Sequence, residues 1–214
     1  MTNILIYKFF LLELNTLLLF FFTSISLTLF PGPDILFVIS TSVQKGWKKG
    51  MKLSLGLTSG IIIHTLVVVL GLGTLLKHEP NVIRIIEISG ATYLIYLATQ
   101  TWVNSIKNQN NSPKPSKNQN LFLTGFIMNL SNPKVSLFFL SFFPGFLFHH
   151  ELSYSLQFFI LGSIFFVQAL FIFASCSILA ARLGEKFKLS HRFSKWDKIQ
   201  SLILVIIALI LLYP

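Results

Sequence analysis

Long apolar runs alternate with short polar or basic segments along this chain. Six runs are near or above the length of about 20 residues that a helix needs to cross a bilayer. They cover residues 14–43, 53–76, 82–103, 121–148, 152–181 and 199–213. The pattern predicts an all-α polytopic membrane protein with six transmembrane helices.

Proline interrupts two of these runs. Pro31 and Pro33 flank Gly32 in the first run, and Pro133 lies in the fourth. Proline removes a backbone donor and clashes with the preceding turn, so a helix must kink or unwind there. In lipid, such a break is tolerated only where it faces protein or water, and paired breaks indicate the binding site of a transporter. We therefore predict a transporter in which helices 1 and 4 are broken.

Composition is that of a bilayer protein. Of the 214 residues, 53% are hydrophobic and 11% are charged, and the mean hydropathy is +0.73. The net charge of +10 lies mainly between the apolar runs. Because the chain has neither the aromatic platform nor the recognition helix of nucleic-acid readout, we expect no nucleic-acid partner. Cys176 is the one cysteine, which excludes an internal disulfide, and we expect no metal site and no cofactor.

The distribution of positive charge predicts the orientation. Lys and Arg are concentrated in the first, third and fifth connections, around residues 45–52, 107–117 and 182–198. The positive-inside rule places these connections in the cytoplasm and both termini outside.

Three spans in each half give the two halves opposite orientations. We expect a single transmembrane transporter domain over 1–214, made of one half at 1–106, a linker at 107–120 and a second half at 121–214. The linker is polar and contains two prolines. The result is a 3+3 inverted repeat whose two breaks meet near the middle of the bilayer.

Two opposite charges follow the breaks, Asp34 after the first and Lys134 within the second. A charge at the bilayer centre costs about 2.5–3.5 kcal/mol on insertion scales, so each should face a cavity or a partner. A zwitterionic amino acid needs one anionic and one cationic group, and we predict that this pair binds it, with Gly32 offering main-chain atoms. The alternatives are that Asp34 caps a half-helix and that Lys134 snorkels.

Further polar residues surround the breaks. Asn129 and Asn132 are candidates for substrate binding, or they satisfy backbone groups that the break frees. His64 is a candidate for proton coupling together with Asp34, since imidazole titrates between pH 5 and 8, or it is a hydrogen-bonded packing residue. Gly56 lies four residues before Gly60, a spacing that predicts close helix packing within the chain or in a homodimer.

Several segments resemble the LysE/RhtB amino-acid exporters. Residues 29–34, 46–50 and 55–60 are similar to the first half of that family, 93–97 to its third span, and 125–144 to its Asn-Pro-Lys segment. The resemblance covers essentially the whole chain. It implies a six-span secondary exporter of amino acids or related metabolites in the bacterial plasma (inner) membrane, driven by proton antiport.

One departure from the family concerns the proton. An acidic or polar residue often follows the span 2 glycine in the family, whereas Ile61 follows Gly60 here and only His64 remains of that part. The resemblance therefore does not identify the proton-carrying group.

Two other classes of membrane protein, enzymes and channels or scaffolds, are the alternatives to an exporter. An intramembrane enzyme would need a motif such as His-Glu-x-x-His or Gly-x-Ser-x-Gly, and the sequence contains neither. A channel would need a continuous polar lining, which the apolar spans do not offer, and a membrane scaffold would need no site. We predict a transporter without catalytic residues, whose partners are an amino-acid substrate, protons and the lipid bilayer.

Overall fold

The computed structural model describes residues 2–29, 32–78, 82–107, 120–149 and 151–183, with positions 198, 201, 202, 205, 206 and 209. Every regular element in these residues is helical. The predicted all-α class is confirmed for this part of the chain. Pro31 lies outside the described residues, and so do most of the predicted linker at 107–120 and most of the last run at 199–213.

The α-helices follow the apolar runs. They are α1 Thr2–Leu29, α2 Pro33–Lys45, α3 Trp47–Val67, α4 Gly73–His78, α5 Val82–Lys107, α6 Leu121–Leu130, α7 Pro133–Leu137 and α8 Tyr154–Leu183. A π-helical segment, Val68–Leu72, joins α3 to α4. A second π-helical segment, Phe138–Phe142, and a 3₁₀ turn, Phe143–Phe146, extend α7.

Two continuous helices are long and apolar enough to cross a membrane, Trp47–Leu76 and Tyr154–Leu183, with 30 residues each. A third span is formed if α1 and α2 count as one broken helix, because Glu13–Leu29 and Pro33–Lys45 are bent by 56° at the break. At least two candidate membrane spans are therefore clear among the described residues. The six-span inverted repeat stays a prediction.

Both interruptions end in a proline at the start of a helix. Pro33 begins α2 and Pro133 begins α7. Proline suits this position because the first amides of a helix have no intrahelical partner. Gly32 is the N-cap of α2 in an extended conformation, and Asn132 is the N-cap of α7.

Small residues bring α3 and α6 into close contact. A Cβ atom on Gly56 would collide with the backbone carbonyl of Phe122, and one on Gly125 would collide with that of Leu53. The close packing predicted for Gly56 therefore occurs within the chain. A Cβ atom on Gly60 would collide with the side chain of Asn129, so α3 leaves room for that side chain.

Aromatic rings fill the space between α1, α8 and the extension of α7. The fully buried phenylalanines of this cluster are Phe20, Phe138, Phe139, Phe142, Phe143 and Phe158, which we call the phenylalanine cluster. Ring centroids lie 4.3 Å apart for Phe139 and Phe143 and 5.4 Å apart for Phe20 and Phe143. The phenylalanine cluster joins the two halves of the chain. It lies on the same side of the breaks as the start of α1.

On the opposite side of the breaks, serine hydroxyl groups connect the helices. α2 ends at Lys45, and its C-cap is Gly46, whose φ of 82° is a left-handed conformation that favours glycine. Beside this turn, the hydroxyls of Ser42 and Ser177 lie 3.1 Å apart, and Ser177 donates to the carbonyl of Trp47 at 2.8 Å. These contacts connect α2, α8 and the start of α3.

Candidate functional site

A cavity of about 40 Å³ lies where the two breaks meet. Helices from both halves form its wall. The lining residues are Leu27, Thr28, Gly32, Asp34, Ile35, Ile61, Asn129, Asn132, Lys134, Val135, Phe165, Ala169 and Phe173. A cavity of this size has room for a few water molecules. It must enlarge to hold an amino acid.

One side chain connects the two breaks. Asp34 lies in the first turn of α2 and is 8% exposed. The amide nitrogen of Asn132 donates to Asp34 Oδ2 at 2.9 Å, and Asn132 Oδ1 accepts from the backbone N–H of Lys134 at 3.1 Å. Asn132 thus caps α7 and holds the carboxylate of the other half. Gly32, rather than Asp34, is the N-cap of α2, although a carboxylate in this turn also complements the helix dipole.

The cation of the site reaches the end of a different helix. Lys134 Nζ donates to the carbonyl oxygen of Leu27 at 3.3 Å. Leu27 lies in the last turn of α1, where carbonyls lack intrahelical partners and the dipole favours a cation. Lys134 and Asp34 also attract each other electrostatically. The site therefore holds two opposite charges, each near the end of a half-helix.

Two buried oxygen atoms on residues of the cavity wall lack a hydrogen-bond donor within the described part of the chain. They are Oδ1 of Asp34 and Oδ1 of Asn129. A buried acceptor without a donor carries an energetic cost, so most such atoms are paired in folded proteins. Both oxygens therefore have lone pairs free to accept a hydrogen bond from an N–H or O–H group.

His64 lies behind the cavity wall. Its Nε2 atom is 3.3 Å from the carbonyl oxygen of Asn129, and its ring centroid is 5.5 Å from that of Phe139. Because a carbonyl can only accept, this contact is a hydrogen bond when Nε2 carries a proton. His64 reaches the site through Asn129 and does not itself line the cavity.

The structure brings most of the predicted residues together. The residues Gly32, Asp34, Asn129, Asn132 and Lys134 line the same cavity. Pro33 and Pro133 begin the helices that carry the two charges. Within the described ranges, no group of three or more His, Cys, Asp or Glu side chains could hold a metal ion.

Sequence reasoning missed other parts of the wall. The carbonyl of Leu27 was detectable in principle, because a helix break leaves carbonyls unpaired before it. Thr28, Ile61 and Phe165 carry no such signal, since they are ordinary residues in apolar helices.

The geometry can be compared with known proteins. The family model of the LysE type translocators matches residues 25–214. The homoserine/homoserine lactone efflux protein of Salmonella typhimurium (strain LT2) is 30% identical over 168 residues, which cover 78% of this chain and 81% of that protein. The protein of the same name from Salmonella typhi has the same identity and coverage. No solved structure matches the chain.

Proposed function

This chain belongs to the LysE type translocator family, and from that premise we propose that it is a secondary active transporter that exports amino acids or related metabolites across the bacterial plasma membrane. The efflux of homoserine and homoserine lactone by its relatives supports solutes of this class. The observation that carries the proposal is the cavity between the breaks, which presents one carboxylate and one ammonium group to the same small volume.

The proposed binding mode uses the atoms that lack partners. The ammonium group of the substrate donates to Asp34 Oδ1 and Asn129 Oδ1, which have no donor in the described chain. The substrate carboxylate binds Lys134 and competes with the carbonyl of Leu27 for Nζ. Asn132 positions Asp34, and Gly32 allows close approach of the solute to the main chain.

Proton antiport follows if substrate and proton compete for Asp34. A protonated Asp34 is neutral and loses its electrostatic attraction for the ammonium group. Binding of one therefore excludes the other, which is the condition for exchange. His64 is the second candidate for the proton, since it connects to the site through Asn129.

Transport requires the site to open alternately to each side. The cavity is too small for an amino acid in this conformation, and the phenylalanine cluster closes the side toward the start of α1. The contacts of Ser42 with Ser177 and of Ser177 with Trp47 close the other side. We propose that these two closures separate in turn, as repeats rock against each other around a fixed site.

Transport by purified protein in liposomes tests the function. Liposomes preloaded with an amino-acid mixture should release part of it through the wild-type protein in response to a proton gradient. Asp34→Asn and Lys134→Met should each reduce the initial rate by about tenfold or more, because each removes a charge-assisted contact to the substrate. Glu151→Gln and Lys49→Met remove exposed charges and serve as controls. Wild-type rates in both site variants would overturn the site, and a chemically altered product would indicate an enzyme.

A further inference from the structure

Gln168 of α8 places a buried carboxamide beside the cavity wall. It is 5% exposed. Its nitrogen donates to Thr28 Oγ1 at 3.0 Å and lies 3.5 Å from the carbonyl oxygen of Ser24, both on α1. Thr28 and Ala169, the neighbour of Gln168 in the chain, both line the cavity. The carboxamide is therefore hydrogen-bonded to a residue of the cavity wall.

The hydrogen bonds determine which end of the amide lacks a partner. The hydroxyl of Thr28 donates to the Ser24 carbonyl at 2.9 Å, so its proton is already used. The opposite orientation of the amide would turn an acceptor toward the Ser24 carbonyl, which also only accepts. The nitrogen therefore faces α1, and Oε1 is a buried acceptor that finds no donor among the residues described.

One polar part of the cavity wall remains available to the side chain of a substrate. Asp34, Asn129 and Lys134 would be occupied by the ammonium and carboxylate groups that all amino acids share. Most of the remaining wall is apolar, formed by residues such as Ile61, Phe165 and Phe173. Asn132 already bonds to Asp34 and to the backbone of Lys134, so Thr28, with Gln168 beside it, is the polar part that is left.

Building on the proposed function, we propose that Gln168 selects amino acids with a side-chain hydroxyl, which donates to Oε1 when the cavity enlarges. This contact satisfies an acceptor that is otherwise unpaired. A substrate without the hydroxyl leaves it unpaired, and sites built to bind a hydroxyl group discriminate against such analogues for this reason.

The test compares two solutes that differ only in the hydroxyl. Liposomes with the wild-type protein are loaded with homoserine or with 2-aminobutyrate at concentrations below saturation, and the ratio of their initial efflux rates is measured. In Gln168→Met, which keeps the length of the side chain without the acceptor, this ratio should fall about tenfold. Gln44→Met, at an exposed glutamine on α2, should leave the ratio unchanged.

The ratio does not depend on the amount of folded protein, since both rates scale with it. If Gln168→Met yields no protein, Gln168→Asn shortens the reach of the amide by one methylene and should also lower the ratio. An unchanged ratio would overturn the role of Gln168 and leave the exporter intact, since it would mean that water alone satisfies the amide. Wild-type liposomes that release no amino acid would instead overturn the proposed function.

Discussion

A single carboxamide links the two halves at the site. Asn132 donates to Asp34 and accepts from the backbone of Lys134. The donor and acceptor ends of this side chain therefore have separate tasks. The amide nitrogen positions the carboxylate of Asp34, and the amide oxygen caps the start of α7.

Asn132→Asp keeps the acceptor that caps α7 and removes the donor to Asp34. Aspartate is a good N-cap, so α7 should still begin at Pro133. The donor to Asp34 is lost and a second carboxylate faces it, so we expect the initial rate of amino-acid efflux to fall by about tenfold or more. Asn120→Asp, at the exposed N-cap of α6, should have the wild-type rate. Wild-type efflux by Asn132→Asp would show that this hydrogen bond has no part in transport.

Gly60 keeps space for Asn129. In Gly60→Ala, the new methyl group would collide with the Asn129 side chain, which must shift away from α3 and change its position in the cavity wall. We expect a loss of stability of about 1–3 kcal/mol from overpacking. We also expect slower efflux, measured as initial rate per folded protein. Gly71→Ala is the control, because a Cβ atom there meets no atom within 4 Å. Equal rates in the two variants would contradict a role for Asn129 in the site.

At the site, the sequence predicted the residues that are costly in lipid. Asp34, Asn132 and Lys134 were visible because charged and amide groups interrupt apolar runs next to prolines. Gln168 carries the same kind of signal, a polar residue inside an apolar run, but no nearby break distinguishes it from other polar residues of the runs. Thr28 became part of the wall only through packing of α1 against α8, which no local pattern specifies.

The elements themselves were predictable from the length of the apolar runs. The helices Trp47–Leu76 and Tyr154–Leu183 correspond to the runs predicted at 53–76 and 152–181. The faces of these helices were not predictable, because a helix that is apolar on all sides gives no amphipathic stripe. The two π-helical segments were also missed, since no local pattern in the sequence marks them.

Gln157 organises the connection between the extension of α7 and α8. Its fully buried side chain accepts from the N–H groups of Phe148 and His149, at 2.8 and 3.0 Å. It donates to the carbonyls of His149 and Leu152, at 2.7 and 2.8 Å. One carboxamide thus replaces the backbone partners that this irregular connection lacks.

Gln157→Leu removes all of these bonds while keeping a similar volume. Each buried backbone group without a partner costs about 1–3 kcal/mol. We therefore expect a lower thermal unfolding temperature in detergent and faster proteolysis within residues 147–153. Gln44→Leu breaks an exposed side-chain hydrogen bond to Ser40 and should change neither. An unaltered unfolding temperature in Gln157→Leu would show that water replaces the carboxamide.

At the scale of the molecule, neither half contains a complete site. Asp34 comes from the first half and Lys134 from the second, and the phenylalanine cluster likewise draws on both. A relative movement of the halves therefore changes the site and its closure together. This dependence is what couples binding to access in the mechanism we propose.

Orientation in the membrane is a property of the whole chain and can be tested directly. The exposed lysines at the start of α3 are predicted to face the cytoplasm, whereas the connection before α8 has no Lys or Arg and is predicted to lie outside. In a Cys176→Ala background, Glu151→Cys should react with a membrane-impermeant maleimide on intact cells. Lys49→Cys should react only after permeabilisation, because the bilayer separates it from the reagent. The reverse pattern would turn the site around, so that the phenylalanine cluster would close the cytoplasmic side and the serine contacts the outer one.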